Sequence, residues 1–130
     1  MLSITSKSPY AISALVELVA QGSDKPVPIG ELAKRREIPV QFLEQLFAVL
    51  RRGGILRSQR GVKGGYTFAR KPDEITVLEI VEMLDGALGA EAEGVFEEAA
   101  AAAREVLART TIADLYEQES SQAGSTMYYI

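Results

Sequence analysis

The sequence predicts a mainly α-helical fold with one small β-hairpin. Apolar residues recur every three or four positions in two neighbouring segments, about 29–36 and 40–52, which are separated by Pro39. A basic, glycine-rich turn over residues 60–65 then joins two short segments of alternating polarity. Two short helices, a sharp turn and a basic hairpin in this order make a winged helix-turn-helix. An alanine-rich segment near residue 100 predicts a further C-terminal helix for dimerisation.

The composition is that of an ordinary globular domain and excludes several kinds of chemistry. The 130 residues are 47% hydrophobic and 25% charged, and they include neither cysteine nor histidine. Disulfides, thiol nucleophiles, Cys/His zinc sites and a Ser-His-Asp triad are therefore excluded, and we expect no metal, no cofactor and no enzymatic activity. The longest apolar run, residues 11–20, contains Glu17 and is too short to span a bilayer, and no small-residue cleavage site follows it. A cytoplasmic protein is the expectation.

Charge is distributed unevenly along the chain. Residues 1–72 contain 12 of the 14 Lys and Arg residues and 5 of the 18 Asp and Glu residues, which gives a local net charge of +7. The remaining 2 basic and 13 acidic residues give residues 73–130 a net charge of −11. This asymmetry indicates a phosphate-facing part joined to a part that does not face phosphate. We predict a winged helix-turn-helix DNA-binding domain over residues 1–84, and an effector or partner loop, dimerisation helix and tail over residues 85–130.

The first two helices are predicted from their end signals and spacing. Ser8 is the expected N-cap of the first helix, with Pro9 at its first helical position, and Gly22 ends it. A loop over residues 23–28 leads to the second helix, at about 29–36.

The third predicted helix has clear signals at both ends. It begins at Pro39 or Val40, and Gly53-Gly54 ends it near Arg52. One face is apolar, with the i, i+3, i+4, i+7 pattern of a helix packed on a core. Its buried stripe is Leu43, Leu46, Phe47 and Leu50.

The second half of the chain is predicted to contain the wing and three more helices. Thr76 and Glu79 form a capping box, and Thr111 and Asp114 form a second cap. The predicted elements are strands over 55–59 and 66–69, a helix from Thr76 through Leu84, an acidic loop over 85–94, a helix over about 94–109, a short helix from Thr111 to about Gln118, and a flexible segment over 120–125 before the tail at 127–130.

The exposed face of the third helix and the hairpin are the predicted DNA-contacting elements. A helix in the major groove uses its N-terminal exposed residues, so Gln41 and Gln45 can each bond an adenine edge and Glu44 can accept from cytosine. Arg60 in the wing is long enough to enter the minor groove. Ordinary solvated surfaces are the alternative interpretation for both. The predicted DNA contacts are Lys7, Tyr10, Val40, Gln41, Glu44, Gln45, Arg51, Arg52, Arg57, Arg60, Gly61 and Lys63.

The alanine-rich helix is the predicted dimerisation element. Small residues along one face allow the close approach of a second helix. A surface helix that packs only on its own domain is the alternative. The predicted dimer contacts are Val95, Ala99, Ala102, Val106 and Leu107.

Several motifs resemble a family of bacterial winged-helix regulators that includes the iron–sulfur regulator IscR and the cysteine-metabolism repressor CymR. The resemblance covers essentially the whole chain. It implies a homodimer that binds a palindromic double-stranded DNA operator and acts as an effector-controlled repressor. The matching motifs are Lys7-Ser8-Pro9-Tyr10-Ala11, Phe42-Leu43-Glu44-Gln45-Leu46, Arg60-Gly61 with Gly64-Gly65-Tyr66, and Ile75-Thr76-Val77.

The C-terminal part is most similar to the CymR branch of this family. IscR-like members bind a cluster through three cysteines in the stretch equivalent to residues 88–104, which contains no cysteine here. Residues 110–115 and an aromatic tail ending in isoleucine resemble CymR instead. This likeness implies repression of cysteine and sulfur metabolism genes, controlled by a complex with cysteine synthase. The implied partner-binding residues are Tyr128, Tyr129 and Ile130.

Two alternatives remain open from the sequence. One is a sensor of the same family that detects another small-molecule or redox signal without a cysteine-ligated cluster. The other is a protein-interaction adaptor whose winged helix no longer binds DNA.

Overall fold

The computed structural model describes residues 4–22 and 24–128, with side chains described through residue 122. The predicted fold class is confirmed, since six helices and an antiparallel hairpin account for most of the described residues. No helix in these ranges has the length and apolar character needed to cross a membrane. The elements are α1 (Lys7–Ala20), α2 (Ile29–Arg36), α3 (Val40–Arg52), β1 (Leu56–Gln59), β2 (Gly65–Phe68), a 3₁₀ turn (Pro72–Glu74), α4 (Val77–Asp85), α5 (Val95–Ala108) and α6 (Ile112–Tyr128).

Helices α1, α2 and α3 pack around one apolar core. The predicted stripe of α3 is confirmed, because Leu43, Phe47 and Leu50 are fully buried and Leu46 is 4% exposed. Burying a leucine or phenylalanine side chain contributes about 1.5–3 kcal/mol, so this stripe fixes which face of α3 meets the core. The opposite face of α3 is left for solvent or a ligand.

The turn between α2 and α3 is tight. Glu37 has φ 55° and ψ 45°, the left-handed conformation, which costs a residue with a side chain about 1–2 kcal/mol. Ile38 follows it, is 5% exposed and donates its N–H to the Ala33 carbonyl at 2.9 Å. Pro39 then caps α3. The buried Ile38 therefore offsets the strain at Glu37 and sets the angle between the two helices.

The predicted hairpin is confirmed, with strand bounds that differ by one residue. Leu56 pairs with Phe68 and Gln59 pairs with Gly65. Ile55 lies just outside β1, because its N–H bonds to the last turn of α3 at Leu50 rather than to the opposite strand. An isolated bridge between Val27 and Tyr66 adds the loop before α2 to the edge of the hairpin.

The predicted start of α1 was wrong. The helix begins at Lys7, so Ser8 lies inside it and Pro9 is its third residue. Ser8 is 1% exposed, and its hydroxyl donates to the Asp85 carboxylate, which also accepts from the Thr5 N–H. The serine hydroxyl is thus used in a tertiary contact with the end of α4, and is unavailable as a cap.

The predicted end of α6 was also wrong. The helix does not stop near Gln118, and the segment over 120–125 that was expected to be flexible belongs to it. Helix α6 packs along α1, and Leu115 and Glu119 line the groove between the two helices. Tertiary packing therefore extends a helix whose serine-rich sequence has weak propensity.

Both predicted caps in this half are confirmed. Thr76 and Glu79 form a capping box at α4. Thr111 and Asp114 cap α6 in the same reciprocal way, with bonds of 2.9 and 3.0 Å.

Glu79 is expected to make stability depend on pH. Arg70 donates to its carboxylate at 2.7 Å, and this bond lowers the pKa of Glu79 below its ordinary 4.5. The stabilisation is therefore present above about pH 4.5 and is lost as the pH falls through the lower pKa of the folded state. We predict that Glu79→Gln lowers the unfolding free energy at pH 7 by about 0.5–1 kcal/mol, a small value because both side chains are partly solvated.

Glutamine can still serve in the capping box, so the substitution isolates the charge. Thermal unfolding at pH 7 and pH 3 provides the measurement, and the variant should lose less stability on acidification than the natural chain. An unchanged difference between the two pH values would contradict the role of this ion pair.

Candidate nucleic-acid interface

The face of α3 opposite the core is polar and exposed. Gln41, Glu44 and Gln45 are all exposed, and their spacing places them on one side of the helix. Val40 at the helix start is 41% exposed. These side chains end in amide and carboxylate groups, the donors and acceptors that pair with base edges in a major groove.

The beginning of α1 lies beside the beginning of α3. The rings of Tyr10 and Phe42 meet edge to face with centroids 5.7 Å apart. Phe42 is half-buried, whereas Tyr10 is 39% exposed and Lys7 is exposed. The structure thus brings Lys7 and Tyr10 to the same end of the helix-turn-helix as Gln41.

Two glycines fix the shape of the hairpin turn. A Cβ at Gly64 would lie 2.3 Å from the Gln59 carbonyl oxygen, and the Gly64 N–H donates to the Gly61 carbonyl at 2.9 Å. Gly65 has φ 152°, and a Cβ there would lie 2.3 Å from the Val27 carbonyl. The glycines are therefore required by close backbone approach, and the resulting tight turn exposes Arg60, Gly61, Val62 and Lys63.

Tyr66 connects the hairpin to the helices. Its backbone exchanges two hydrogen bonds with Val27, at 3.0 and 2.9 Å. Its ring packs edge-on against Phe47 of α3, with centroids 5.1 Å apart. Through this residue the wing is held at a fixed place relative to the exposed face of α3.

Basic side chains fall into two groups. Arg36 and Arg70 bind carboxylates, and Arg104 donates to the Leu88 carbonyl at 2.6 Å. Within the described ranges, nine other basic side chains are exposed and make no side-chain hydrogen bond or ion pair, and five of these lie on α3 and the hairpin, where their charges are available to an anion. These five are Arg51, Arg52, Arg57, Arg60 and Lys63.

Two residues at this surface were missed by the sequence reasoning. Val62 is fully exposed at the tip of the wing, where an apolar side chain has no distinct sequence signal. Lys71 lines a cleft of about 440 Å³ together with Arg57 and Thr67. The fold brings Lys71 near Arg57, because Lys71 follows β2 in the chain and Arg57 lies on the paired strand β1.

The predicted dimer contacts lie along α5. Val95 is 67% exposed and Val106 is 47% exposed, and Ala99 and Ala102 between them are also exposed. Leu107 is half-buried. Phe96, which the sequence reasoning did not select, is 64% exposed beside this row.

The loop before α5 is closed against that helix. Leu88 is 5% exposed, and a Cβ at Gly89 would lie 2.3 Å from the Ala100 side chain. Arg104 holds the Leu88 carbonyl. No group of three or more His, Cys, Asp or Glu residues in the described part of the chain is placed to hold a metal ion.

The side chains of the predicted partner-binding tail lie outside the residues that the structure describes. The backbone of Tyr128 ends α6, and its side chain lies outside the described residues, as do Tyr129 and Ile130.

Comparison with known proteins identifies the family. Residues 4–118 match the model of the Rrf2 family, described as an iron-dependent transcriptional regulator. The chain belongs to the Rrf2 family. IscR of Aliivibrio salmonicida is 37% identical over 89 residues, which are 68% of this chain and 53% of that protein. The chain thus spans about half the length of the curated relatives that it matches.

Solved structures of similar proteins share the fold. CymR (YrzC), the global cysteine regulator of B. subtilis, superimposes with a TM-score of 0.81 and 31% identity, over 91% of this chain and 98% of that one. IscR of T. potens gives a TM-score of 0.79 and 34% identity, over 91% and 88%. The chain is therefore a member of a family of DNA-binding transcriptional regulators.

Proposed function

We propose that the protein is a dimeric, sequence-specific repressor whose α3 and wing bind a palindromic operator. The observation that carries the proposal is the concentration of unpaired basic side chains on α3 and the wing. Those that stabilise the fold are paired, whereas Arg51, Arg52, Arg57, Arg60 and Lys63 carry unpaired charges at or just after α3 and on the wing. Phosphates of a duplex are the anions that such a set of charges fits best.

Each element would make a different kind of contact. Gln41, Glu44 and Gln45 would meet base edges in the major groove, and these contacts would provide sequence specificity. Arg60 at the wing would enter the adjacent minor groove, where the phosphate backbones concentrate negative potential. The other unpaired cations would neutralise phosphates, and counterion release would make the affinity strongly dependent on salt.

Arg60 provides the direct test of the wing. With an operator obtained by selection from random DNA, we predict that Arg60→Ala weakens binding about ten-fold and lowers the salt slope by about one. The matched control is Arg109→Ala, which removes an exposed arginine from the acidic half. Fluorescence anisotropy at several salt concentrations measures both variants. Equal affinities for Arg60→Ala and the natural chain would contradict the wing assignment.

A dimer is supported by the exposed face of α5. Val95, Ala99, Ala102 and Val106 recur at spacings of four, three and four residues, the seam of two packed helices. The two larger side chains are half to two-thirds exposed in one copy, which leaves apolar area for a partner to bury. A two-fold axis here would present two α3 helices to half-sites about 34–36 Å apart, or a multiple of this spacing.

A charge on this seam should separate the protomers. We predict that Val106→Glu converts a dimer to a monomer at micromolar concentration, because the carboxylate would be desolvated in the interface. Ala101→Glu is the control, since Ala101 is exposed on the other side of α5. Sedimentation velocity distinguishes the two sizes, and a dimeric Val106→Glu protein would rule out this interface.

Regulation of cysteine and sulfur metabolism genes is the finer part of the proposal. It is supported by the similarity to the B. subtilis global cysteine regulator over nearly all of that protein. The closed loop around Gly89 leaves little space for a ligand there, which favours control through a partner over direct sensing in this loop. We propose cysteine synthase as the partner, bound through Tyr128, Tyr129 and Ile130.

Removal of one residue tests this control. The isoleucine side chain would fill an apolar subsite of the partner. We predict that deletion of Ile130 abolishes association with cysteine synthase, measured by calorimetry, and leaves operator binding unchanged. Arg60→Ala should show the reverse pattern. Undiminished association after the deletion would reject the tail mechanism.

A further inference from the structure

Arg36 joins three helices at the back of the helix-turn-helix. It is the last residue of α2, and its guanidinium group forms a fork on the Glu119 carboxylate of α6, with bonds of 2.9 and 2.7 Å. Its Nε also donates to Glu17 of α1 at 3.1 Å. One side chain therefore connects the C-terminal helix to both helices that support α3.

Within this cluster, the Arg36–Glu17 pair is more shielded from water than the other ion pairs of the described region. The side chains of Arg36 and Glu17 are 16% and 13% exposed, and that of Glu119 is 52% exposed. The fork raises the pKa of Arg36 and lowers that of Glu119, so both groups are charged at neutral pH. A bidentate pair fixes orientation as well as distance, which a single contact does not.

The position of Arg36 makes this orientation matter for α3. The next residue is Glu37, whose left-handed backbone begins the turn into α3. Glu119 lies on the same continuous helix that ends at Tyr128, directly before the terminal residues. A displacement of α6 would therefore pull on the end of α2, one residue from the strained turn that sets the angle of α3.

We propose that Arg36 and Glu119 are positioning residues for DNA binding, through which α6 sets the angle of the helix-turn-helix. The inference rests on the proposed operator binding by α3. It also gives the C-terminal helix a route by which a protein bound at its end changes operator affinity. Neither residue needs to touch DNA, since the effect passes through the turn at residues 37–39.

Glu119→Gln tests the proposal with an almost isosteric change. Removal of one negative charge would by itself slightly strengthen binding to DNA, whereas loss of the fork should weaken it. We predict that Glu119→Gln binds the operator at least about five-fold more weakly, a factor in the lower range of measured couplings between two sites. The slope of log affinity against log salt concentration should not change. The melting temperature should fall little, because Glu119 is half exposed.

Glu117→Gln is the matched control. Glu117 is exposed on the same helix, and its substitution by glutamine removes the same negative charge. This variant should bind the operator at least as tightly as the natural chain does. Operator affinity of Glu119→Gln equal to that of Glu117→Gln would overturn the proposal, as would a loss explained by unfolding at the assay temperature. If the natural chain selects no operator at all, the proposed function itself fails. If the natural chain binds an operator and Glu119→Gln binds it equally well, only the role of Glu119 fails.

Discussion

The one-sided burial of α3 is the constraint on which the rest of the molecule depends. Leu43, Phe47 and Leu50 are fully buried against α1 and α2, so the rotation of α3 about its own axis is fixed. The polar face with Gln41 and Gln45 is thereby turned outward. Phe47 also contacts the ring of Tyr66, so the same core residue that orients α3 helps to place the wing.

Basic side chains have two different roles in this fold, joining elements and presenting positive charge to a ligand. Arg36 and Arg70 are held by carboxylates, and each of them secures a junction between elements: α2 with α6, and the end of the wing with α4. Of the nine exposed basic side chains without a partner in the described residues, five lie on α3 and the wing, whereas the acidic second half contributes one, Arg109. This arrangement explains how a chain with a net charge of −4 can belong to a family of DNA-binding regulators.

Neighbouring residues in the sequence were sufficient to predict most helix and strand bounds. They were insufficient where a contact with a residue distant in the sequence determines where a helix begins or ends. The bounds of α3 followed from Pro39 and Gly53, and the Thr76 capping box was read directly from its spacing. The start of α1 was missed because the partner of Ser8 is Asp85, 77 residues away. The length of α6 was missed because packing on α1 outweighs the weak helix propensity of its serines. At the candidate site, sequence chemistry indicated the exposed polar and basic residues, but no pattern could indicate that Arg36 joins three helices.

The central claim is that the exposed face of α3 and the wing form one DNA-binding surface. The most direct test is to measure amide chemical shifts by NMR during titration with a selected operator. The account predicts that the largest shifts fall on residues 40–45 and 57–64, with smaller ones at Lys7 and Tyr10. Largest shifts in the acidic half, on α5 or on residues 86–94, with α3 unchanged would contradict it.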